Sequence, residues 1–338
     1  MTRRPAPHPD DRRGGLNGGK LIAIPLILIV TLAALWTAGW FYMASRLEAQ
    51  TQTLMAELAK DGTDVSCDDL NVAGYPLRLG LDCQSVKLQS RDNRYALQTA
   101  SLQSAARLYN PKRLDGQASG PGILRWPGLP PLHLNWDNLH FSARIAKPLP
   151  TEVSVNAQGA DIALSQGSAP VASISRFDGR SEIKDSDLIV SAELRDLIIA
   201  ALGQNESRPL VIDFEASVKN GVAALAQNGG DSLRGLSGKL RELKLRSDDA
   251  EIDISGDYAV DRKGLLNGKV EIRVKHPEQV GDLLAAFVPD EADTIRSAFD
   301  TLDGLAIDGD RTPPIPVRIK DGVPSILFIK LPRIPALP

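Results

Sequence analysis

The sequence predicts a mainly β protein, in which an N-terminal transmembrane helix and a helical stalk lead into a large curved antiparallel sheet with two helices near the C-terminus. Three observations support this prediction. A stretch of 23 residues near the start carries no charge. Many later segments alternate apolar and polar residues, which is the pattern of a half-buried strand. Two segments close to the C-terminus place apolar residues at helical spacing instead.

The uncharged stretch, residues 21–43, is long enough to cross a bilayer, which requires about 20 apolar residues. Five basic residues precede it and few follow, so the positive-inside rule predicts a single pass through the inner membrane, with a cytoplasmic N-terminus and a periplasmic remainder. Trp36, Trp40 and Tyr42 lie near its far end, where aromatic rings favour the membrane interface. Residues 1–20 are predicted to be a disordered cytoplasmic tail. A cleaved secretory signal is the alternative to an uncleaved anchor, although the apolar region of a signal is usually shorter.

Residues 44–60 are predicted to continue the helix as a stalk that ends at Asp61-Gly62. One narrow apolar stripe runs along this segment and consists of Leu47, Thr51, Leu54 and Leu58. The stripe can pack on the soluble part of the protein or form a coiled-coil seam with a partner. Two heptads are too few to favour the coiled coil.

The two cysteines lie in matching strings of alternating residues, 65–72 and 81–88, separated by the turn signal Gly74-Tyr75-Pro76. A hairpin centred on Tyr75 would place Cys67 directly opposite Cys83, at a separation that a disulfide can bridge. In both strings the alternation slips by one residue, which suggests a bulge and would make the pair diagonal. A structural disulfide worth about 3 kcal/mol is the prediction; two reduced buried cysteines and a redox pair are the alternatives.

The remaining chain is divided into two β-rich periplasmic subdomains, residues 61–150 with the disulfide hairpin and residues 151–338 with the C-terminal helices. Residues 116–131 and 147–150 are rich in Pro or Gly and are the candidate boundaries, of which the second is preferred. The strands and helices are predicted as follows: strands at 95–108, 132–145, 152–164, 171–183, 188–199, 210–218, 238–245, 252–260 and 268–274, a helical turn at 222–227, helices at 277–287 and 290–302, and a final hairpin around Asp321-Gly322.

The composition excludes several functions. Lys and Arg number 39 against 42 Asp and Glu, so the chain has no basic footprint for nucleic acid. The four His and two Cys offer little material for a metal site, and His133 and His140 fall on opposite faces of a regular strand. No zinc-protease, nucleophile-elbow or phosphate-loop motif is present. We therefore expect no enzyme, no cofactor and no metal.

Two segments carry a resemblance to a known family. Residues 65–83 read VSCDDLNVAGYPLRLGLDC, and residues 315–335 read IPVRIKDGVPSILFIKLPRIP. Together with the N-terminal span, these resemble a Gram-negative envelope family described as domain of unknown function twenty-one twenty-five. That family has no established activity, so the resemblance implies no catalytic residues. The layout is also loosely similar to AsmA-like envelope proteins, which implies a membrane anchor, long curved sheets with an apolar inner face, and a link to lipid traffic.

These features favour a membrane-anchored periplasmic protein that binds or transfers lipid or another apolar ligand, because a large sheet with one apolar face must cover that face. The alternative is a non-catalytic structural or assembly protein that docks an envelope protein partner on the same face. An envelope hydrolase is a third and weaker hypothesis, since the sequence contains no motif for it.

Overall fold

A computed structural model describes the chain in these segments: residues 18–60, 62–146, 149–200, 208–228, 233–287, 289–304, 311–326, 329–330 and 332–337. The predicted disordered tail falls almost entirely on residues outside them. The first element is a single helix, α1 (Gly18–Lys60), which joins the predicted span and the predicted stalk without interruption. One helix in the described segments is long and apolar enough to cross a membrane, and it is α1.

The sheet begins directly after α1. Its first nine strands are β1 (Thr63–Asp68), β2 (Asn71–Ala73), β3 (Arg78–Cys83), β4 (Ser85–Ser90), β5 (Ala96–Arg107), β6 (Asn110–Arg125), β7 (Leu132–Asn135), β8 (Asn138–Arg144) and β9 (Glu152–Ala163). The other nine are β10 (Ala172–Lys184), β11 (Asp187–Ile199), β12 (Leu210–Val218), β13 (Ser237–Ser247), β14 (Ala250–Val260), β15 (Leu266–Lys275), β16 (Ile315–Lys320), β17 (Val323–Ile326) and β18 (Ile329–Lys330). The shorter helices are α2 (Gly221–Asn228), α3 (Pro277–Phe287) and α4 (Ala292–Asp303). The mainly β fold with late helices is confirmed.

All of these strands belong to one antiparallel meander. β1 and β2 lie end to end in one row, β3 and β4 form the next row, and β7 and β8 share a later row. Each row pairs with the row that follows it in the chain. The strands on either side of residues 147–150 pair with each other, because β8 pairs with β9 in a register that sets Arg144 against Glu152.

The prediction of a boundary loop at residues 116–131 is wrong in its first part, because residues 116–125 form part of β6. The glycines there make room for aromatic rings. A Cβ on Gly116 would lie 2.3 Å from Cζ of Phe141, and one on Gly122 would lie 2.7 Å from the Trp136 ring. The two rings therefore lie across the backbone of β6, which only glycine permits.

The two faces of the sheet differ in polarity. In β12, Ile212, Phe214 and Ala216 alternate with Asp213 and Glu215. We call the first side the apolar face and the second the charged face. Ion pairs connect neighbouring strands on the charged face, among them Arg195 with Asp213 at 3.2 Å, Arg241 with Glu215 at 2.7 Å, and Arg180 with Glu152 at 2.8 Å.

Residues with positive φ keep the apolar residues on one face where the alternation breaks. In β9 the apolar positions change from odd numbers, up to Ala157, to even numbers, from Ala160. Gly159 lies between them with φ of 59°. In β11 the same change occurs around Asp196, with φ of 51° and a register shift against β12. A one-residue slip turns the following side chains over, so the apolar residues on both sides of the slip share a face.

α3 covers the far end of the apolar face. Val280 is fully buried against Ala250 of β14 and Val274 of β15. α4 packs on α3, where the Phe299 side chain lies close to Gly281. Both predicted helices are confirmed, although α4 begins two residues later than predicted because residues 289–291 form a 3-10 turn.

Candidate functional site

The C-terminal half of α1 packs along the first row of the sheet, β1 and β2. Trp40 and Ala44 are buried in this contact, and Leu47 and Thr51 are half-buried. Leu54 is 54 % exposed and Met55 is half-buried in its place, whereas Leu58 is half-buried as predicted. The stalk therefore packs on the sheet of its own chain.

Three side chains from the apolar part of α1 hydrogen-bond the tip of the first hairpin. The indole N–H of Trp36 donates to the Pro76 carbonyl at 3.0 Å, and that of Trp40 donates to the Arg78 carbonyl at 2.9 Å. The Thr37 hydroxyl lies 2.8 Å from the Tyr75 hydroxyl. Trp40 is only 6 % exposed and therefore faces the hairpin, whereas Trp36 and Tyr42 remain accessible from outside.

The hairpin contains the Cys67–Cys83 disulfide, with a Cα–Cα distance of 5.5 Å. The cysteines do not face each other in the ladder, because Cys67 pairs with Val86. A hairpin centred on Tyr75 is therefore wrong, and the pairing is diagonal. Asp69, at φ of 52°, interrupts the row between β1 and β2. This interruption explains how Cys67 and Cys83 reach the same face although the ladder alone would separate them.

An unbroken neutral line, which we call the apolar stripe, crosses the apolar face from β3 to β16. Its members are directly paired on successive strands. In order they are Leu81, Ser104, Gly116, Phe141, Val155, Gly179, Ala192, Phe214, Leu243, Ile254, Ile272 and Ile315. Neighbouring strands are about 4.8 Å apart, so the stripe is roughly 50 Å long. Parallel lines beside it are also uncharged, as Val153 and Val190 illustrate.

The stripe is only partly covered. Its large side chains, among them Phe141, Phe214 and Leu243, are half-buried, which is typical of a sheet face with no second layer over it. In the described part of the chain, buried hydrophobic residues number only 14. Several of these residues belong to the contact with α1 or to the cluster under α3. Most of the apolar face lies outside these two buried regions.

Shallow cavities lie on the described part of the charged face. One, of about 810 Å³, is lined by basic and acidic side chains that include Arg241, Lys269 and Glu271. Another, of about 520 Å³, lies around Asp178 and Glu193. A hydrogen bond from Arg176, supported by one from Asn156, lowers the pKa of the Asp178 carboxyl.

The other pKa shifts on this part of the sheet also have structural causes. The Glu242 carboxylate raises the pKa of Lys244 by a hydrogen bond, and burial raises the pKa of Tyr258. Among the described residues, no group of three or more His, Cys, Asp or Glu side chains could hold a metal ion. The charged side chains of this face pair with one another, both along a strand, as Arg176 and Asp178 do, and across strands, as Arg195 and Asp213 do.

Sequence reasoning missed the apolar stripe. The only signal for it was the alternation in each strand, and most of its smaller members, such as Gly116 and Ala192, do not stand out in a sequence. Their alignment depends on the register of every ladder between them, which the sequence does not show.

The fold and this site define a class of protein with one very large antiparallel sheet held by an apolar N-terminal helix. The chain belongs to the family of uncharacterized proteins conserved in bacteria known as DUF2125, whose model matches residues 40–335. This confirms the resemblance carried by the cysteine hairpin and the C-terminal strands. No curated protein and no solved structure matches the chain. The looser similarity to AsmA-like envelope proteins therefore stays a prediction.

Proposed function

We propose that the protein is a membrane-anchored lipid-binding module of the bacterial envelope, in which the acyl chains of lipids lie along the apolar stripe. One observation carries the proposal: an uncharged path roughly 50 Å long begins in the second row of the sheet, next to the row that packs on the membrane helix. A contiguous, partly exposed apolar surface of this size marks a binding surface on a protein of this kind.

The contact between α1 and the hairpin supports a retained anchor over a cleaved signal. Cleavage after the apolar stretch would remove Trp40, which is buried, and both indole hydrogen bonds to the hairpin. The charge bias around residues 21–43 favours a cytoplasmic N-terminus. A disulfide in the hairpin suits the oxidising periplasm. These observations support a single-pass inner-membrane protein with a periplasmic sheet.

The shape of the stripe favours lipid over a protein partner. Neighbouring strands rotate by about 20°, so a face that extends over this many strands turns through more than half a circle. A rigid protein surface would have to follow that turn throughout, whereas flexible acyl chains adapt to it. The ionisable side chains that chemistry would need lie on the opposite face, in ion pairs. We therefore propose binding without catalysis.

Photo-crosslinking in living cells tests this function with a matched pair of neighbours on β8. Phe141 belongs to the apolar stripe, and His140 lies on the charged face opposite Asn156. Phe141→benzoylphenylalanine keeps a phenyl ring in the stripe, and His140→benzoylphenylalanine places the same probe on the other face. After irradiation of cells that produce the full chain, the purified protein is analysed by mass spectrometry for covalent adducts.

We expect phospholipid adducts from the probe at position 141 and none from the probe at position 140. Adducts of one protein from position 141 would replace the lipid proposal with the docking alternative. Equal lipid labelling from both positions would refute a specific role of the stripe, because it would show that the sheet merely lies near the membrane.

A further inference from the structure

The tip of the first hairpin lies beside the apolar part of α1, on the N-terminal side of residue 43, where the predicted span ends. Trp36, which hydrogen-bonds Pro76, precedes Met43 by seven residues, and this corresponds to about 10 Å along the helix axis. Trp40, which hydrogen-bonds Arg78, is about 5 Å from the same end. A membrane that covers residues 21–43 therefore also surrounds residues 74–77.

Four carbonyls at this tip have hydrogen-bond partners, which suits a medium without water, where an unpaired carbonyl is costly. The Gly74 carbonyl accepts from the Arg78 N–H at 2.9 Å, and the Leu77 carbonyl accepts from the Leu108 N–H at 3.2 Å. The indole hydrogen bonds from α1 satisfy the Pro76 and Arg78 carbonyls. Pro76 itself has no N–H to satisfy.

Large side chains of the tip and of the neighbouring turn are apolar or aromatic and are at least half exposed. Tyr75 is 52 % exposed, Leu77 is 60 % exposed, and Tyr109 in the turn between β5 and β6 is 74 % exposed. Tyrosine rings favour the headgroup level of a bilayer. Arg78 directly follows the tip, and Arg107 directly precedes the neighbouring turn. The positive charges of these two residues suit anionic headgroups.

We infer that residues 74–77 and Tyr109 form a membrane wedge, which inserts into the outer leaflet of the anchoring membrane at the boundary between headgroups and acyl chains. The wedge brings the start of the apolar face into that boundary, since Leu79 and Leu81 follow the tip on β3. A lipid of the outer leaflet then reaches the stripe without crossing water. This inference rests on the proposed membrane span, and it names where lipid enters the proposed binding surface.

Fluorescence quenching in proteoliposomes tests the wedge. The full chain is reconstituted in vesicles of phosphatidylethanolamine and phosphatidylglycerol, with one environment-sensitive maleimide dye at Leu77→Cys. The matched control is Leu129→Cys, which is 54 % exposed in the turn at the opposite end of the strands. Leu32→Cys in α1, which is 58 % exposed, reports on the span itself. The native cysteines are joined in the disulfide and do not react with the dye.

We expect the dye at position 77 to be quenched by lipids that carry a nitroxide near the headgroup, and to be quenched by aqueous iodide several-fold less than the dye at position 129. If positions 77 and 129 are equally open to iodide while position 32 is protected, the helix spans the membrane and the wedge is refuted. If position 32 is also open to iodide, the proposed anchor fails, and the wedge fails with it. Protection of position 129 as well would refute a wedge confined to the hairpin end.

Discussion

Loss of the Cys67–Cys83 disulfide is predicted to lower the free energy of unfolding by about 3 kcal/mol. The bond joins residues separated by 16 positions, and the entropy that a cross-link of this size removes from the unfolded chain corresponds to that energy. Cys67→Ala with Cys83→Ala opens the loop and keeps both sites apolar. Cys83 is only 5 % exposed, so Cys83→Ser would bury a hydroxyl and remove about 1–3 kcal/mol more.

Urea unfolding of the full chain in detergent micelles, followed by tryptophan fluorescence, measures this effect. The wild-type protein is compared with the double alanine variant, each with and without a reducing agent. Reduced wild type should match the variant, and the variant should not respond to the reducing agent. The dependence of free energy on urea should steepen when the bond opens, because the unfolded chain then exposes more surface. Equal stability of oxidised and reduced wild type would refute the reasoning.

Three further predictions concern single side chains. Trp40→Phe keeps an aromatic ring but loses the hydrogen bond to the Arg78 carbonyl, and should lower the free energy of unfolding by about 1 kcal/mol and speed amide hydrogen exchange in the first hairpin. Val280→Ala, at a site with no exposure, should lower the free energy of unfolding by about 2 kcal/mol in the same urea assay. The pKa of Asp178 is lowered in the folded state by Arg176, so its carboxylate stabilises the fold above about pH 4 and this contribution fades as the pH falls toward the folded pKa. Asp178→Asn should therefore destabilise the protein more at pH 7 than at pH 3.

Local periodicity was sufficient to predict most of the secondary structure. Residues 210–218 were predicted as a strand and form β12 with the same bounds, and residues 277–287 form α3. The uncharged stretch and its polar extension form the single helix α1. The sequence pattern that predicts each of these elements lies within one continuous segment of the chain. No tertiary information was therefore needed to predict them.

Features that depend on distant residues were not predictable in the same way. Gly116 and Gly122 suggest a turn when read locally, but they lie in β6 under the rings of Phe141 and Trp136. The ring positions depend on strand pairings that the sequence does not state. The hairpin register failed for a related reason, because the turn at residues 75–77 sets Asn71 against Asp82 and Cys67 against Val86, which is not the register of a hairpin centred on Tyr75. The alternation within a strand shows that its side chains change face at some point. It does not show which residue of the neighbouring strand makes the matching change.

Different elements pack at the two ends of the apolar stripe, and this difference gives the proposed binding surface a direction. At the β1 end, α1 lies along a row that has one paired neighbour among the described strands, so the helix protects an edge that could otherwise join another sheet. At the β15 end, α3 packs on the apolar face and buries Val280, and α4 packs on α3. Open apolar surface therefore lies between the end beside α1 and a helix-covered end. Under the proposed function, a lipid that enters beside α1 has a continuous neutral surface ahead of it until it meets α3.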